Sequence, residues 1–70
     1  MKYLIIIEKG ENGYSAYSPD VPGCIAAGDT EEETRTLMKE AIMFHLEGMA
    51  EDGEELPKAK TIAEYVEIAA

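Results

Sequence analysis

Residues 18–33 read SPDVPGCIAAGDTEEE, and this stretch decides the fold. Pro19 and Pro22 restrict the backbone and remove two N–H donors, so residues 19–23 are predicted to form a rigid loop. Residues 24–27 (CIAA) then predict a short strand. Thr30 followed by Glu33 is a capping box, and acidic residues 31–33 favour the positive end of a helix dipole. A helix is therefore predicted to begin at about residue 31.

The helix prediction extends to about residue 52. Gly53 follows the last apolar position and is a typical stop signal. Met43 falls roughly opposite the apolar stripe, and Phe44 flanks it. The stripe repeats at helical spacing and comprises Leu37, Met38, Ala41, Ile42, Leu46 and Met49.

Upstream of the loop, the sequence predicts an antiparallel hairpin. Residues 2–8 (KYLIIIE) have strand composition, residues 9–13 (KGENG) predict a turn, and residues 14–18 (YSAYS) predict a second strand. The first strand is apolar on both faces, which is typical of a strand covered on both sides. One helix can cover only one face, so we expect the other face to meet a second copy or a partner.

Downstream of the helix, residues 54–60 predict a linker containing Pro57. Residues 61–70 are ambiguous, because Thr61 and Glu64 form another capping box whereas residues 65–68 (YVEI) favour a strand. We predict a fourth strand beside the first. The expected fold is a single α+β domain over residues 1–70, in the order β-β-β-α-β, with an antiparallel-rich sheet and one long helix on one face.

The charge composition indicates which classes of partner the protein can bind. The chain has 15 acidic and six basic residues, a formal net charge of −9, and ten of the acidic residues lie between positions 29 and 55. Direct binding to nucleic acid or to an anionic membrane requires basic residues that are scarce here. A basic protein partner fits this charge, although acidity could equally serve solubility. In so short a chain, self-association into a dimer or tetramer is the expected source of extra stability.

The cysteine and histidine content argues against a disulfide or a metal centre. Cys24 has no cysteine to pair with, and Cys24 with His45 falls short of a zinc ligand set. The apolar run at residues 4–7 is too short for a membrane span or a signal peptide. These features predict a cytoplasmic protein with no cofactor.

Candidates for catalysis are weak. His45 lies on the apolar stripe of the predicted helix, and Cys24 lies among small and apolar residues, so both favour structural roles. No glycine-rich phosphate loop or calcium-loop spacing is present. We expect a protein that is not an enzyme, with a hydrolase using His45 or a carboxylate as the least favoured reading.

The same loop and helix start resemble the HicB-like antitoxin family. The matching residues are Ser18-Pro19-Asp20-Val21-Pro22-Gly23-Cys24, Gly28-Asp29-Thr30 and Glu32-Glu33, followed by Glu40-Ala41-Ile42, His45-Leu46-Glu47, Glu51-Asp52-Gly53-Glu54 and Leu56-Pro57. The resemblance covers nearly the whole chain in order. Thr34 departs from it, because the family pattern prefers alanine there.

The resemblance implies a fold similar to a partial ribonuclease-H-like or double-stranded-RNA-binding-like domain without nuclease chemistry. Family members typically bind and block a small, basic, RNA-cleaving toxin of the HicA type. The matched loop and helix start imply structural roles for Pro19, Asp20, Pro22, Gly23, Asp29 and Thr30. No basic segment follows the core before Ala70, so the chain resembles a short form, and direct contact with DNA is not expected.

Two functional hypotheses follow. The first is an antitoxin-like inhibitor that binds a small basic toxin protein, and the second is a stand-alone homo-oligomeric structural or regulatory domain. The predicted partner-binding residues are the outer part of the first strand, the rigid loop and the acidic helix end, represented by Ile5, Asp20, Val21, Pro22, Gly23, Glu51 and Asp52. No residue is predicted to be catalytic, cofactor-binding or metal-binding.

Overall fold

The computed structural model describes residues 1–69. Three strands precede one long helix: β1 (Ile6–Gly10), β2 (Gly13–Tyr17), β3 (Ile25–Gly28) and α1 (Glu31–Glu51). The strands form an antiparallel sheet in the order β1-β2-β3, as predicted for the first three strands. The α+β prediction, with its helix over about residues 31–52, is confirmed.

The hairpin between β1 and β2 depends on a close approach of backbone. Gly13 has φ +142°, and a Cβ placed there would lie 2.6 Å from the carbonyl oxygen of Gly28. No residue with a side chain fits both that conformation and that distance. Gly13 therefore lets the hairpin turn lie directly against the end of β3.

The helix begins and ends with hydrogen-bonded caps. Thr30 Oγ1 accepts a hydrogen bond from the Glu33 backbone N–H at 3.0 Å. At the other end Gly53 has φ +72°, its N–H donates to Ala50 O at 3.1 Å, and the Glu54 N–H donates to Met49 O at 2.9 Å. This pair of bonds is a Schellman motif, which satisfies carbonyls that the helix itself leaves free.

The core lies between the helix and one face of the sheet. Its buried members are Ala16, Val21, Cys24, Met38 and Ile42, and Tyr3, Ile5, Ile7, Ala26 and Leu46 pack against them. The predicted stripe is correct for Met38 and Ile42. It is wrong for Leu37, which lies at the edge of the contact and is exposed.

Thr34 is fully buried on the same helix face. Its Oγ1 donates a hydrogen bond to Thr30 O at 2.8 Å, which satisfies the hydroxyl without a partner from the sheet. The family pattern prefers alanine at this position. This chain has a buried threonine there, and its hydroxyl is satisfied by a hydrogen bond to the N-cap residue of its own helix.

The first strand starts later than predicted. Residues 2–5 do not join the ladder, because β2 ends at Tyr17, opposite Ile6. Beyond that point the Ser18 side chain replaces the missing strand, since its Oγ donates to Leu4 O at 2.7 Å. The apolar residues 3–5 therefore have strand composition but no strand beside them among residues 1–69.

The predicted fourth strand is not formed in the single chain. Residues 54–69 have no regular secondary structure, and the prediction for Ala70 lies outside the described residues. A strand needs a neighbour for its backbone groups, and Thr61 is bonded to the loop at Asp20 instead of to β1. Residues 62–69, named here the C-terminal arm, are exposed throughout.

Candidate functional site

One solvent-facing side of α1 carries alternating carboxylates and apolar side chains. Its members recur at spacings of four and three residues, which place them on one side of a helix. We name this surface the acidic stripe; it consists of Glu33, Leu37, Glu40, Phe44, Glu47 and Glu51, all exposed.

Phe44 is the most unusual member of the acidic stripe, because 79% of its surface is exposed. It lies one helical turn from Glu40 on one side and from Glu47 on the other. An exposed aromatic ring among carboxylates suits a partner that presents an apolar pocket rimmed by Lys or Arg. The last turn of the helix contains no basic residue, so nothing there neutralises Glu51.

The opposite flank of α1 has a different character. A groove of about 380 Å³ runs between this flank and the first residues of the chain. Arg35 and Lys39 border it, and Arg35 is bonded to Glu31 at 2.7 Å. We name this the basic groove; it is lined by Met1, Tyr3, Ile5, Arg35, Lys39, Ile42, Met43 and Leu46.

The rigid loop holds the chain that follows the helix. Asp20, only 7% exposed, accepts hydrogen bonds on Oδ2 from the N–H groups of Lys60 at 3.0 Å and Thr61 at 2.9 Å. Its Oδ1 accepts a third bond from Thr61 Oγ1 at 2.6 Å. These bonds, the Thr61 hydroxyl first, lower the pKa of Asp20 below its usual value, against an opposing effect of burial.

The second face of the sheet is left uncovered by residues 1–69. Ile6, Tyr17 and Ile25 are directly opposite one another across the three strands. Tyr17 and Ile25 are exposed, Ile25 to 75% of its surface. The expectation that one helix covers only one face is therefore met, and a row of apolar side chains crosses the other face.

The predicted partner-binding residues do not form one surface. Val21 is 0% exposed and belongs to the core, and Asp20 is occupied by Lys60 and Thr61. Pro22 and Gly23 are exposed at the loop. Of the rest, Ile5 lines the basic groove, whereas Glu51 and Asp52 are exposed at the far end of α1.

The sequence analysis did not predict that Leu37 and Phe44 are exposed on one side of α1. Leu37 was assigned to the core and Phe44 to its flank. The available signal was the seven-residue spacing of Glu33, Glu40 and Glu47, which marks a solvated side that both apolar residues share.

The two residues considered for catalysis lie in packed surroundings. His45 is half-buried on α1. Cys24 is buried, its Sγ lies 3.8 Å from Ala41 O, and burial raises the pKa of its thiol. Over residues 1–69 there is no cluster of three or more His, Cys, Asp or Glu side chains with metal-binding geometry. Within the same residues, no helix combines the length and apolar character needed to span a membrane.

Comparison with known proteins gives consistent matches in sequence. A 14.9 kDa protein of the rep–hol intergenic region of Haemophilus phage HP1 is 56% identical over 66 residues, which are 94% of this chain and 50% of the phage protein. Antitoxin HicB 2 of Photorhabdus laumondii is 32% identical over 71 residues, covering all of this chain and 51% of that antitoxin. The chain thus spans about half the length of these two relatives.

Two further comparisons concern shorter proteins and structure. A protein of Thermoplasma acidophilum is 39% identical over 59 residues and is matched over 86% of its own length. A chain in the solved HicA3 and HicB3 toxin–antitoxin complex superposes with a TM-score of 0.71 at 33% identity, covering 86% of this chain and 70% of that one.

The family model agrees with these matches. The model described as the HicB-like antitoxin of bacterial toxin–antitoxin systems matches residues 3–69. That span includes the rigid loop, the helix and the C-terminal arm. The chain therefore belongs to the HicB-like antitoxin family.

Proposed function

We propose that this protein is an antitoxin that binds and neutralises a small, basic, RNA-cleaving toxin of the HicA type in the cytoplasm. The observation that carries the proposal is the acidic stripe, in which Phe44 stands exposed between Glu40 and Glu47. Family membership and the similarity to a chain of a solved toxin–antitoxin complex support it.

The charge distribution indicates how the toxin is recognised. Carboxylates of the acidic stripe attract Lys and Arg side chains of the toxin and orient the encounter, while Phe44 and Leu37 supply apolar area once water is displaced. Glu51 and Asp52 extend the same negative surface at the end of α1, and we keep both in the proposed interface. We also keep Pro22 and Gly23, which are exposed at the loop, as a separate contact with the toxin.

Neutralisation by this route is occlusion, so the proposed activity needs no catalytic residue, cofactor or metal in the antitoxin. This protein, with a net charge of −9, and RNA are both negatively charged, so a basic surface on the nuclease would attract both. We propose that the acidic stripe covers the surface that the toxin uses for RNA. Direct binding of nucleic acid by this chain is not part of the proposal.

The decisive experiment measures RNA cleavage by each HicA-type toxin encoded in the source genome, with and without this protein. We expect a stoichiometric complex that abolishes RNA cleavage. Its Kd should increase as the salt concentration is raised from about 50 to 500 mM. The proposal is wrong if none of these toxins binds or if bound toxin still cleaves RNA. A protein that only self-associates in this assay would favour the stand-alone oligomeric domain, which the exposed C-terminal arm also suits.

A further inference from the structure

The C-terminal arm has the composition of a strand but lies unpaired in water. It carries the large apolar residues Ile62, Tyr65, Val66 and Ile68, all at least three-quarters exposed. Among residues 1–69, no backbone hydrogen bond is made by residues 62–69. Exposed β-forming segments of this kind are hazards for a soluble protein unless they have a designated place to bind.

The residues just before the C-terminal arm are held in place by hydrogen bonds. The three hydrogen bonds from Lys60 and Thr61 to Asp20 set its starting point, and Tyr3 Oη donates to Pro57 O at 2.7 Å just before it. The chain is consequently elongated: its longest dimension is 50 Å, and its radius of gyration is 14.0 Å. A compact domain of this length has a radius of gyration of about 11 Å.

The same molecule has an unpaired edge of its sheet, to which a strand could add. β1 is an edge strand, and residues 3–5 before it have no strand beside them among residues 1–69. The first part of the arm only passes near this edge, leaving a groove of about 350 Å³ between residues 4–7 and residues 63–65. On the helix side of the edge the basic groove also lies open.

We propose that the arm of one protein molecule adds as a strand to the edge at residues 3–7 of a second molecule, and that the reciprocal exchange forms a two-fold dimer. A free strand and a free edge on one chain are self-complementary, which is the condition for a symmetric pair. The fourth strand expected from the sequence is then completed between molecules.

Charge favours this placement despite the net charge of the chain. In a strand, alternate residues share a face, so Glu64 lies on the same side as Ile62, Val66 and Ile68. That face matches the basic groove, where Arg35 and Lys39 border apolar side chains. Lys39 forms no ion pair among residues 1–69, so it remains free to meet Glu64 of a second molecule.

The area is sufficient for a specific dimer. Buried aliphatic side chains contribute about 60–120 Å² each and a tyrosine about 150–250 Å². Two exchanged arms therefore bury roughly 700–1,200 Å² of their own surface, with a similar area on the receiving edges. The total exceeds the roughly 1,000 Å² that marks specific interfaces.

The test is a charge-swap mixture measured by sedimentation over a range of protein concentrations. Variant Glu64→Lys and variant Lys39→Glu each place like charges at the exchanged contact, so each alone is expected to dimerise at least tenfold more weakly than the original protein. Mixed one to one, each arm meets an opposite charge, and dimerisation is expected to recover. An arm that folds back onto its own chain gives no recovery on mixing, and that result overturns the proposal.

A second pair of variants tests the backbone pairing. Val66→Pro fixes φ and removes an N–H donor within the arm, which disfavours an extended, hydrogen-bonded strand, whereas Val66→Thr keeps β-branching and serves as the matched control. We expect the proline variant to lose at least tenfold in dimer affinity and the threonine variant to stay within about threefold.

Amide exchange locates the arm directly. Protection of residues 62–69 that rises with protein concentration, and that is absent in Val66→Pro, supports arm exchange. Protection that is independent of concentration, or that appears only on adding a HicA-type toxin, overturns it. The toxin-cleavage assay is independent of these measurements, so either proposal can fail without the other.

Discussion

Asp20 and Thr61, 41 residues apart, are joined by two hydrogen bonds: the hydroxyl of Thr61 donates to one carboxylate oxygen at 2.6 Å and its N–H donates to the other at 2.9 Å. The loop that was predicted to contact a partner therefore holds together two distant parts of the same chain. It determines where the chain goes after the linker.

Replacing Asp20 with asparagine should release the linker. The amide cannot accept at both positions as the carboxylate does, and its N–H₂ group faces donors. We expect faster amide exchange at residues 57–61 and a melting temperature lower by several degrees. Asp52→Asn, at an exposed carboxylate, is the matched control and should change neither. Unchanged exchange in Asp20→Asn would show that the linker is held by other contacts.

The hydrogen bonds to Asp20 should also make stability depend on acidity. Folding lowers the pKa of Asp20 from its ordinary 3.8, chiefly through the Thr61 hydroxyl, so its contribution is complete above that value. It is lost as the pH falls below 3.8 through the lower pKa of the folded state. Urea unfolding of the original protein and of Asp20→Asn should therefore converge as the pH is lowered from 7 to about 2.5. A difference that stays constant over this range would contradict the assignment.

Met38→Ala should remove much of the total stability. Met38 is fully buried between helix and sheet, and truncation of such residues costs about 2–5 kcal/mol. A chain of this length has only about 4–10 kcal/mol in total. Phe44→Ala, at a ring that is 79% exposed on the same helix, should change the free energy of unfolding by less than about 0.5 kcal/mol. Urea denaturation of the two variants makes the comparison.

Gly28→Ala should destabilise the protein by about 1–3 kcal/mol. A Cβ at Gly28 would lie 2.8 Å from Thr34 Oγ1 and 3.2 Å from Thr34 N, and the backbone there cannot move aside easily. Gly48→Ala is an instructive control, because nothing lies within 4 Å of a Cβ at that helical position. Alanine is the better helix former, so this second variant should gain up to about 1 kcal/mol. Equal effects of the two substitutions would contradict the close approach of helix and sheet.

The acidic stripe predicts which substitutions weaken toxin binding. Phe44→Ala should raise the Kd for the toxin by about 30-fold, equivalent to about 2 kcal/mol, because the ring is the apolar anchor. Ile25→Ala, equally exposed but on the sheet, is the control and should have little effect. A loss with Ile25→Ala and none with Phe44→Ala would move the interface to the uncovered sheet face.

Charge reversal tests the electrostatic part of the same interface. Glu47→Lys should slow association with the toxin and reduce its salt dependence, since that carboxylate steers the encounter. Glu11→Lys makes the same change in net charge at the hairpin turn. If both variants slow association equally, total charge and not the stripe governs the encounter. Stopped-flow association rates at two salt concentrations distinguish these outcomes.

Local patterns in the sequence predicted the three strands and the helix because their signals lie within a few residues of one another. The capping hydrogen bond to Thr30, the stop at Gly53 and the burial of Met38 and Ile42 all follow from such short spacings. Family resemblance reached the correct family from the loop and helix start. These parts need no knowledge of long-range contacts.

What the sequence could not predict depends on contacts between distant residues. The two hydrogen bonds between Asp20 and Thr61 have no local signature, and they explain why residues 62–69 leave the loop as an arm. The predicted partner-binding site has the same limitation. Val21 lies in a loop rich in proline and glycine, which is typical of an exposed segment, but its side chain is buried in the core. Leu37 was misassigned because a periodic stripe does not reveal which of its edges the sheet covers.

The position of the buried residues along the chain has a consequence for synthesis. The five buried apolar residues all lie between residues 16 and 42, so the sheet and helix can pack once that part of the chain is free. Synthesis proceeds from the N-terminus, so the residues of the sheet and helix leave the ribosome before the residues that follow α1. The loop with Asp20 is then in place before Thr61 is synthesised, and residues 62–69 follow after the sheet and helix. A second molecule can therefore bind residues 62–69 as soon as they are synthesised, because no folded part of either molecule has to unfold first.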